Sequence, residues 1–327
     1  MDNNQVHAAW LYPDFDDRAN KWIQTVIKES GDSIVGRIED VKKTDLSLIK
    51  RIPTAEGDLY FKASNQSSAH EAILTKHISA LSPENSVTTV AVHKTNGWLL
   101  MKDIDGESLR RLPNEKLWKR ALQEYAELQV SQIQHVNELL SIGVPDRRMP
   151  TLKREIEENL EDMCATGLSA KETERVMALQ PELLAMCDEL DAIIPDSIEH
   201  GDLHSNNIRL VDNRIVFFDW GDATVSHPFF STRIFWHALD ELIDDQSKWL
   251  SMVEAFRPYY LKPWAEYVPM EQLVKASRIS DELACVQRAL SWHVYMTPHR
   301  EKKEESFNRP AQWLRLLLEH RSLVGKM

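Results

Sequence analysis

Cysteine, glycine and long apolar runs are all scarce in this chain. Its 327 residues hold three cysteines, Cys164, Cys187 and Cys285, and ten glycines. Three thiols without paired metal-ligand spacing exclude a zinc ribbon or a disulfide framework, and they read as the reduced thiols of a cytoplasmic protein. No apolar stretch reaches the roughly 18 residues that a membrane helix needs. Met1-Asp2-Asn3-Asn4-Gln5 lacks the basic and apolar regions of a signal peptide, so no membrane association is expected. An excess of positive charge is missing as well. The formal net charge of −12 argues against a nucleic-acid partner and is compatible with a cationic small molecule drawn to an acidic cleft. No repeat, low-complexity tract or coiled-coil heptad is present.

What the sequence does have is concentrated between His200 and Asp222: His-Gly-Asp-Leu-His-Ser-Asn-Asn, then Ile-Arg-Leu-Val, Asp-Asn-Arg, Ile-Val-Phe-Phe, then Asp-Trp-Gly-Asp. The apolar runs Ile208–Val211 and Ile215–Phe218 flank a turn-like Asp212-Asn213-Arg214 and predict a β-hairpin. A hairpin returns its ends to one place, which sets Asn207 beside Asp219, with Asp202 near them. An amide and a carboxylate side by side make a hard oxygen site suited to Mg²⁺ carried in with a nucleotide. Phosphoryl transfer asks for that metal and for a base that orients the incoming hydroxyl. Asp202 has the chemistry of such a base. A zinc site on His200, Asp202 and His204 is allowed by ligand type but leaves Asn207, the hairpin and Asp219 unexplained.

His200-Gly201-Asp202 through Asn207, followed by Asp219, resembles the catalytic loop and metal-binding aspartate of the aminoglycoside phosphotransferase and choline kinase family. The resemblance implies an α+β, bilobal protein-kinase-like fold: a small N-terminal antiparallel-sheet lobe over residues 1–104 and a larger, mostly helical C-terminal lobe over 105–327. It implies ATP and Mg²⁺ as cofactors, Asp202 as catalytic residue, and Asn207 and Asp219 as metal ligands. His200 takes a structural role in that family, while Asp222 either binds a second metal through water or caps the next turn.

The implied small lobe can be sought upstream. Asp58–Ala63 has a strand pattern, and His70–Leu81 carries Ile73, Leu74, Ile78 and Leu81 at helical spacing. By resemblance Lys62 contacts the ATP phosphates and pairs with Glu71. Ser68 with Glu71 also reads as a capping box, which would give Glu71 a local job instead. Strand runs Val87–His93 and Trp98–Met101 follow, separated by the turn Lys94–Gly97. Lys102, Asp103 and Ile104 then resemble the hinge whose backbone reads the adenine edge. A phosphate-covering glycine-rich turn is missing: the segment between the first two candidate strands, Glu39–Asp45, has no glycine. Asp14–Ser30 reads as an additional helix with Trp22, Ile23, Val26 and Ile27 on its apolar face.

Helical patterns fill the rest: 115–140, 152–163, 171–194 with Pro181 inside, 230–243, 248–260, 270–296 and 311–324. Substrate groups in the family come from the helices after Asp219. Asp240, Glu241, Asp244, Asp245, Asp281 and Glu282 are the acidic candidates, and Trp236, Trp292 and Tyr295 the aromatic ones. Solvated helix faces and core packing are the plainer readings of both groups. No Ala-Pro-Glu activation segment is present, which argues against a protein kinase. The resulting expectation is an ATP-dependent small-molecule kinase acting on a hydroxylated, cationic or neutral acceptor. The rival from another class is a catalytically silent nucleotide-binding protein of the same fold. Monomer and dimer are not distinguished by the sequence.

Overall fold

A computed structural model describes residues 8–243, 245–300 and 302–325. The opening residues Met1 to Gln5 and the candidate Asp244 therefore lie outside the described residues. The chain divides into two compact units. The first comprises residues 1–107, 209–221 and 299–301, and the second comprises 108–208, 222–298 and 302–327.

The first unit is built on an antiparallel sheet: β1 (Glu39–Lys43), β2 (Ser47–Thr54), β3 (Gly57–Ser64), β4 (Thr89–His93) and β5 (Trp98–Lys102), in the order β1-β2-β3-β5-β4. Period-2 alternation sorts its side chains. Leu48, Ile52, Phe61, Trp98 and Leu100 share a core with Phe15, Ala19, Ile23 and Ile27 of α1 (Phe15–Glu29), the helix expected over 14–30. The intervening residues Ile49, Tyr60, Lys62, Leu99 and Met101 line a cavity instead. Register supports this sorting, because Lys62 pairs with Ile49 on one side and Leu99 on the other.

Helix α2 (Glu71–Leu81) follows β3 after a single 3-10 turn over Gln66–Ser68. The hairpin Ile208–Val211/Arg214–Phe217 forms where the apolar runs placed it. Its turn residues Asp212 and Asn213 take φ of 47° and 65°, the paired left-handed geometry of a tight hairpin. Two expectations fail in this unit. Residues 39–43 form β1 rather than a connection, and the real turn is Thr44–Leu46, pinned by the Thr44 hydroxyl and by Arg300 on Asp45 at 3.0 Å. The Ser68–Glu71 capping box does not form, since the Glu71 carboxylate turns to Lys62 and Ser64.

The second unit is helical: α3 (Glu115–Gln132), α4 (Val136–Ser141), α5 (Met149–Ala165), α6 (Ala170–Asp191), α7 (Ser231–Ala238), α8 (Trp249–Leu261), α9 (Met270–Leu290) and α10 (Arg309–Val324). The single helix expected over 115–140 breaks at a 3-10 turn, Ile133–His135. That over 230–243 gives way to 3-10 turns at both ends of α7. Pro181 lies inside a continuous α6, whose first turn carries a Ser169/Glu172 capping box. Helix α9 is the buried axis, with Leu273, Leu283, Val286, Ala289 and Leu290 in the core. It continues as a π-helical turn, Ser291–Met296, rather than as α-helix to Met296. Strands Ser197–Glu199 and Thr224–Ser226 pair antiparallel and frame the loop that begins at His200.

Candidate functional site

In the first unit the structure joins three of the sequence-predicted residues. Lys62 Nζ lies 2.5 Å from Glu71 Oε1 and 2.5 Å from Asp219 Oδ1. Ser64 donates to the other Glu71 oxygen. Burial opposes the Lys62 charge, but the two carboxylates outweigh it and hold the ammonium protonated well above the usual lysine range. Burial in turn raises Glu71, with Lys62 opposing. Asp219 has a φ of 68°, a left-handed conformation rare outside glycine and seen at functional sites. Its carboxylate is the accessible member of the trio, 42% exposed against 4% for the Glu71 side chain.

These groups line a cavity of about 460 Å³, closed on another side by residues 102–106 with Arg209 and Phe218. The predicted hinge residues Lys102, Asp103 and Ile104 all line it, with a refinement to the expected backbone reading. The Lys102 N–H donates to Thr88 and the Asp103 N–H to Asp58, so neither amide points to a base. Gly106 is needed where it stands, because a Cβ would overlap the Leu210 carbonyl and the Val211 side chain. Sequence reasoning missed Arg209, whose Nη1 donates to the Ile104 and Gly106 carbonyls at 3.4 and 2.9 Å.

In the second unit the loop after Glu199 is held by its own backbone. The Glu199 carboxylate accepts from Gly201 N–H at 2.7 Å and from the Thr224 hydroxyl. Gly201, with a φ of 75°, passes against Asp222, and a Cβ there would collide with the Asp222 carbonyl. The fully buried His200 accepts the Asp202 N–H at Nδ1, a structural role. Asn207 commits its Nδ2 to the Asp202 carbonyl at 3.0 Å, which leaves the amide oxygen as the atom it can offer a cation. Asp202 and Asn207 are thus brought together, while Asp219 belongs to the first unit.

The Asp202 carboxylate has two nitrogen-bearing side chains beside it. His204 Nε2 and Arg288 Nη2 each lie 3.4 Å from it, and Arg288 Nη1 reaches Asp222 at 2.9 Å. Burial raises the Asp202 pKa, but the His204 hydrogen bond and the Arg288 charge outweigh it and leave the group at about 2. Arg288 was not found from sequence. It lies 86 positions beyond Asp202 on a helix whose pattern is ordinary, and no local motif marks it. Asp222 accordingly holds Arg288.

The substrate candidates separate sharply. Asp281 is buried on Arg257 and the Trp236 indole N–H, and the half-buried Glu282 pairs with Arg321. Asp245 bonds Ser247 beside it. Trp236 is core, Tyr295 donates to Glu155 beneath the Arg147 guanidinium, and Trp292 packs against Arg288 and Arg309. Among the described candidates Glu241 touches the loop, accepting from Ser205 at 2.5 Å and pairing with Arg110. Its neighbour Asp240 keeps Oδ1 buried without a hydrogen-bond partner.

Comparison with known proteins agrees with this picture. Residues 51–257, more than half of the chain, match the model of the phosphotransferase enzyme family, APH. A search of curated proteins gave no match. Among solved structures, the chain is similar to an ethanolamine kinase of Plasmodium vivax, with a TM-score of 0.63 at 13% identity over 88% of this chain and 84% of that one. It is similar to APH(2")-IIia in its GDP and kanamycin complex, with a TM-score of 0.60 at 14% identity over 92% and 98% of the two chains. A choline/ethanolamine kinase family protein from Mesorhizobium loti follows at 0.57, 14% identical over 94% and 98%. At such identities these structures speak for the fold, and the family match speaks for the chemistry. The chain therefore belongs to the phosphotransferase enzyme family: it has the kinase-like α+β fold and is an ATP-dependent kinase of small molecules that acts on a hydroxyl group.

Proposed function

We propose that the chain transfers the γ-phosphoryl group of Mg²⁺-ATP to a small hydroxylated acceptor, with Asp202 facing the reacting hydroxyl. The observation that carries this reading is Lys62, held between Glu71 and Asp219 on the wall of the cavity that residues 102–106 close. Lys62 and two carboxylates leave that end of the cavity with an excess negative charge, which suits a divalent cation arriving with a nucleotide. Each proposed ligand suits Mg²⁺ by donor type: Asp219, in the first unit, offers carboxylate oxygen, and Asn207, in the second, keeps its amide oxygen after committing its nitrogen to Asp202. Bound there, the metal would neutralise charge on the phosphates. Lys62 would contact the phosphates, and Glu71 would keep it in place.

The low pKa of Asp202 defines its part. A carboxylate held at about 2 is ionised at neutral pH and accepts a hydrogen bond from an alcohol. It is a weak base, so its main contribution is aim, with the proton arriving late in a loose transition state. Glu241 beside the loop supports an acceptor that carries an ammonium group. Among the described residues no helix is long and apolar enough to cross a membrane, and all three cysteines are free and buried, which supports a cytoplasmic enzyme.

The silent-binder alternative rests on the turn between β1 and β2, which contains no glycine and is tied down by Thr44 and Arg300. ADP release from Mg²⁺-ATP decides between the two. Wild type and Asp202→Asn would be assayed with hydroxylated amines, sugars and aminoglycosides. We expect at least one acceptor to stimulate release by wild type and not by the variant. ATP binding without stimulation by any acceptor would favour the silent binder.

A further inference from the structure

Surface turns are ordinarily mobile, with their carbonyls turned to water. In the turn between β1 and β2 all three carbonyls are taken. That of Thr44 accepts from the Trp10 indole N–H at 2.9 Å, and that of Leu46 from the Asn65 N–H at 2.9 Å. The Asp45 carbonyl accepts from Asn65 Nδ2 at 3.4 Å. Arg300 grips the Asp45 carboxylate through Nε at 3.0 Å and Nη2 at 3.4 Å. Trp10 is buried and packs edge-on against Phe15, so its N–H cannot swing away with the turn. The turn does not need such partners in order to close, because the Thr44 hydroxyl already accepts from the Leu46 and Ser47 amides. Trp10 and Arg300 nevertheless reach it from 34 and 255 positions away.

Strand register says what this turn stands beside. Ile49 lies opposite Lys62, and Ser47 lies opposite Ser64, whose hydroxyl donates to Glu71. The turn therefore adjoins the charged end of the cavity, where the phosphates are proposed to bind. A glycine-rich turn in that place is free to move and becomes ordered when the phosphates arrive, which weakens binding by the free energy of that ordering. Here Glu39–Asp45 contains no glycine, and the side chains of Trp10, Asn65 and Arg300 supply the order in advance. A turn that does not have to move does not need glycine.

We propose that Trp10 and Arg300 are positioning residues that latch the β1–β2 turn in its phosphate-covering geometry before a nucleotide arrives. The proposal rests on the nucleotide reading above and adds how the phosphates are covered without a glycine-rich turn. Two substitutions loosen the latch from opposite ends of the chain. Trp10→Phe keeps an aromatic ring against Phe15 but removes the indole donor, and Arg300→Met removes both donors to Asp45. Amide hydrogen exchange over residues 44–47 would be followed in wild type and both variants, free and with Mg²⁺-ATP. Calorimetry would give the affinity for Mg²⁺-ATP, and melting curves would confirm that each protein is folded.

In the free wild type the hydrogen-bonded amides of Thr44, Leu46 and Ser47 should already exchange slowly, with little further protection from Mg²⁺-ATP. In each variant they should exchange about tenfold faster without ligand and recover protection when Mg²⁺-ATP binds, with its affinity lowered roughly three- to tenfold. A free wild type that exchanges as fast as the variants would overturn the latch. Faster exchange in the variants with unchanged affinity would overturn the positioning role and leave Trp10 and Arg300 as braces of the fold. A wild type that shows slow exchange but binds no Mg²⁺-ATP would refute the nucleotide reading, and the positioning role with it.

Discussion

Each unit presents an accessible aspartate beside a buried cation, and the two cations are chemically different. In the first unit the cation is Lys62, a compact ammonium on a flexible stem that is shared by Glu71 and Asp219. In the second it is Arg288, a rigid fork that reaches Asp202 with one nitrogen and Asp222 with the other. A lysine can change partners by small rotations of its stem. A forked arginine on a buried helix cannot. The difference matches the proposed roles: Asp219 is held by a partner free to turn to a phosphate, and Asp202 by one that fixes its direction.

The largest effects should come from the aspartates themselves. In the proposed role, Asp202→Asn exchanges a charged acceptor for the substrate hydroxyl for a neutral amide that cannot take up its proton. Its kcat should fall by roughly 10²–10⁴-fold while Mg²⁺-ATP binding stays near wild type. Asp219→Ala should instead abolish metal-dependent ATP binding, measured by calorimetry with and without Mg²⁺. If the two variants lost binding and turnover in the same proportion, the division of labour between the units would be wrong.

The cations and their partners come next and test the comparison most directly. Arg288→Met strips Asp202 of its fixed neighbour, and kcat should drop about 10–100-fold with little change in the KM for ATP, the size seen when an orienting partner is removed. Arg288→Lys should recover only part of that loss, because one ammonium cannot bridge both carboxylates. Glu71→Gln lets Lys62 wander and should mainly raise the KM for ATP. Should Arg288→Met raise that KM and Glu71→Gln spare it, the contrast drawn between the two cations would be reversed.

These partners also mark how far the sequence could be read. The hairpin was legible because Asp212-Asn213 is a dipeptide that accepts two left-handed residues, and the apolar runs beside it are short and clean. Lys62 and Glu71 were legible through the family resemblance, since a strand-end lysine followed by a helix glutamate is by itself a common pattern, and the structure pairs them at 2.5 Å. Arg288 was not, since a contact 86 positions away leaves no trace in local periodicity. The capping box at Ser68 misled for a related reason: a tertiary partner, Lys62, outbid the local bond for the Glu71 carboxylate. The break at Ile133–His135 and the π-turn after Leu290 were hidden too, because apolar spacing runs through both without interruption.

The smallest effect on activity is expected at His227, which sharpens the comparison by giving the second unit a charge that it must not carry. Burial pushes its pKa down to about 3, and Nδ1 accepts the Phe229 N–H at 3.3 Å, so the ring is neutral in the fold. An unfolded histidine titrates near 6.5. Stability is therefore untouched at higher pH and falls as pH drops below 6.5, by about 1.4 kcal/mol per pH unit from this residue alone, until protonation of the native state near pH 3. His227→Asn keeps an acceptor for Phe229 and cannot be protonated. Its melting temperature should lie within a few degrees of wild type at pH 8, with turnover little changed, and its decline between pH 6 and pH 4 should be shallower. Parallel declines in the two proteins would show that the ring is already solvated, and that acid sensitivity in the second unit lies elsewhere.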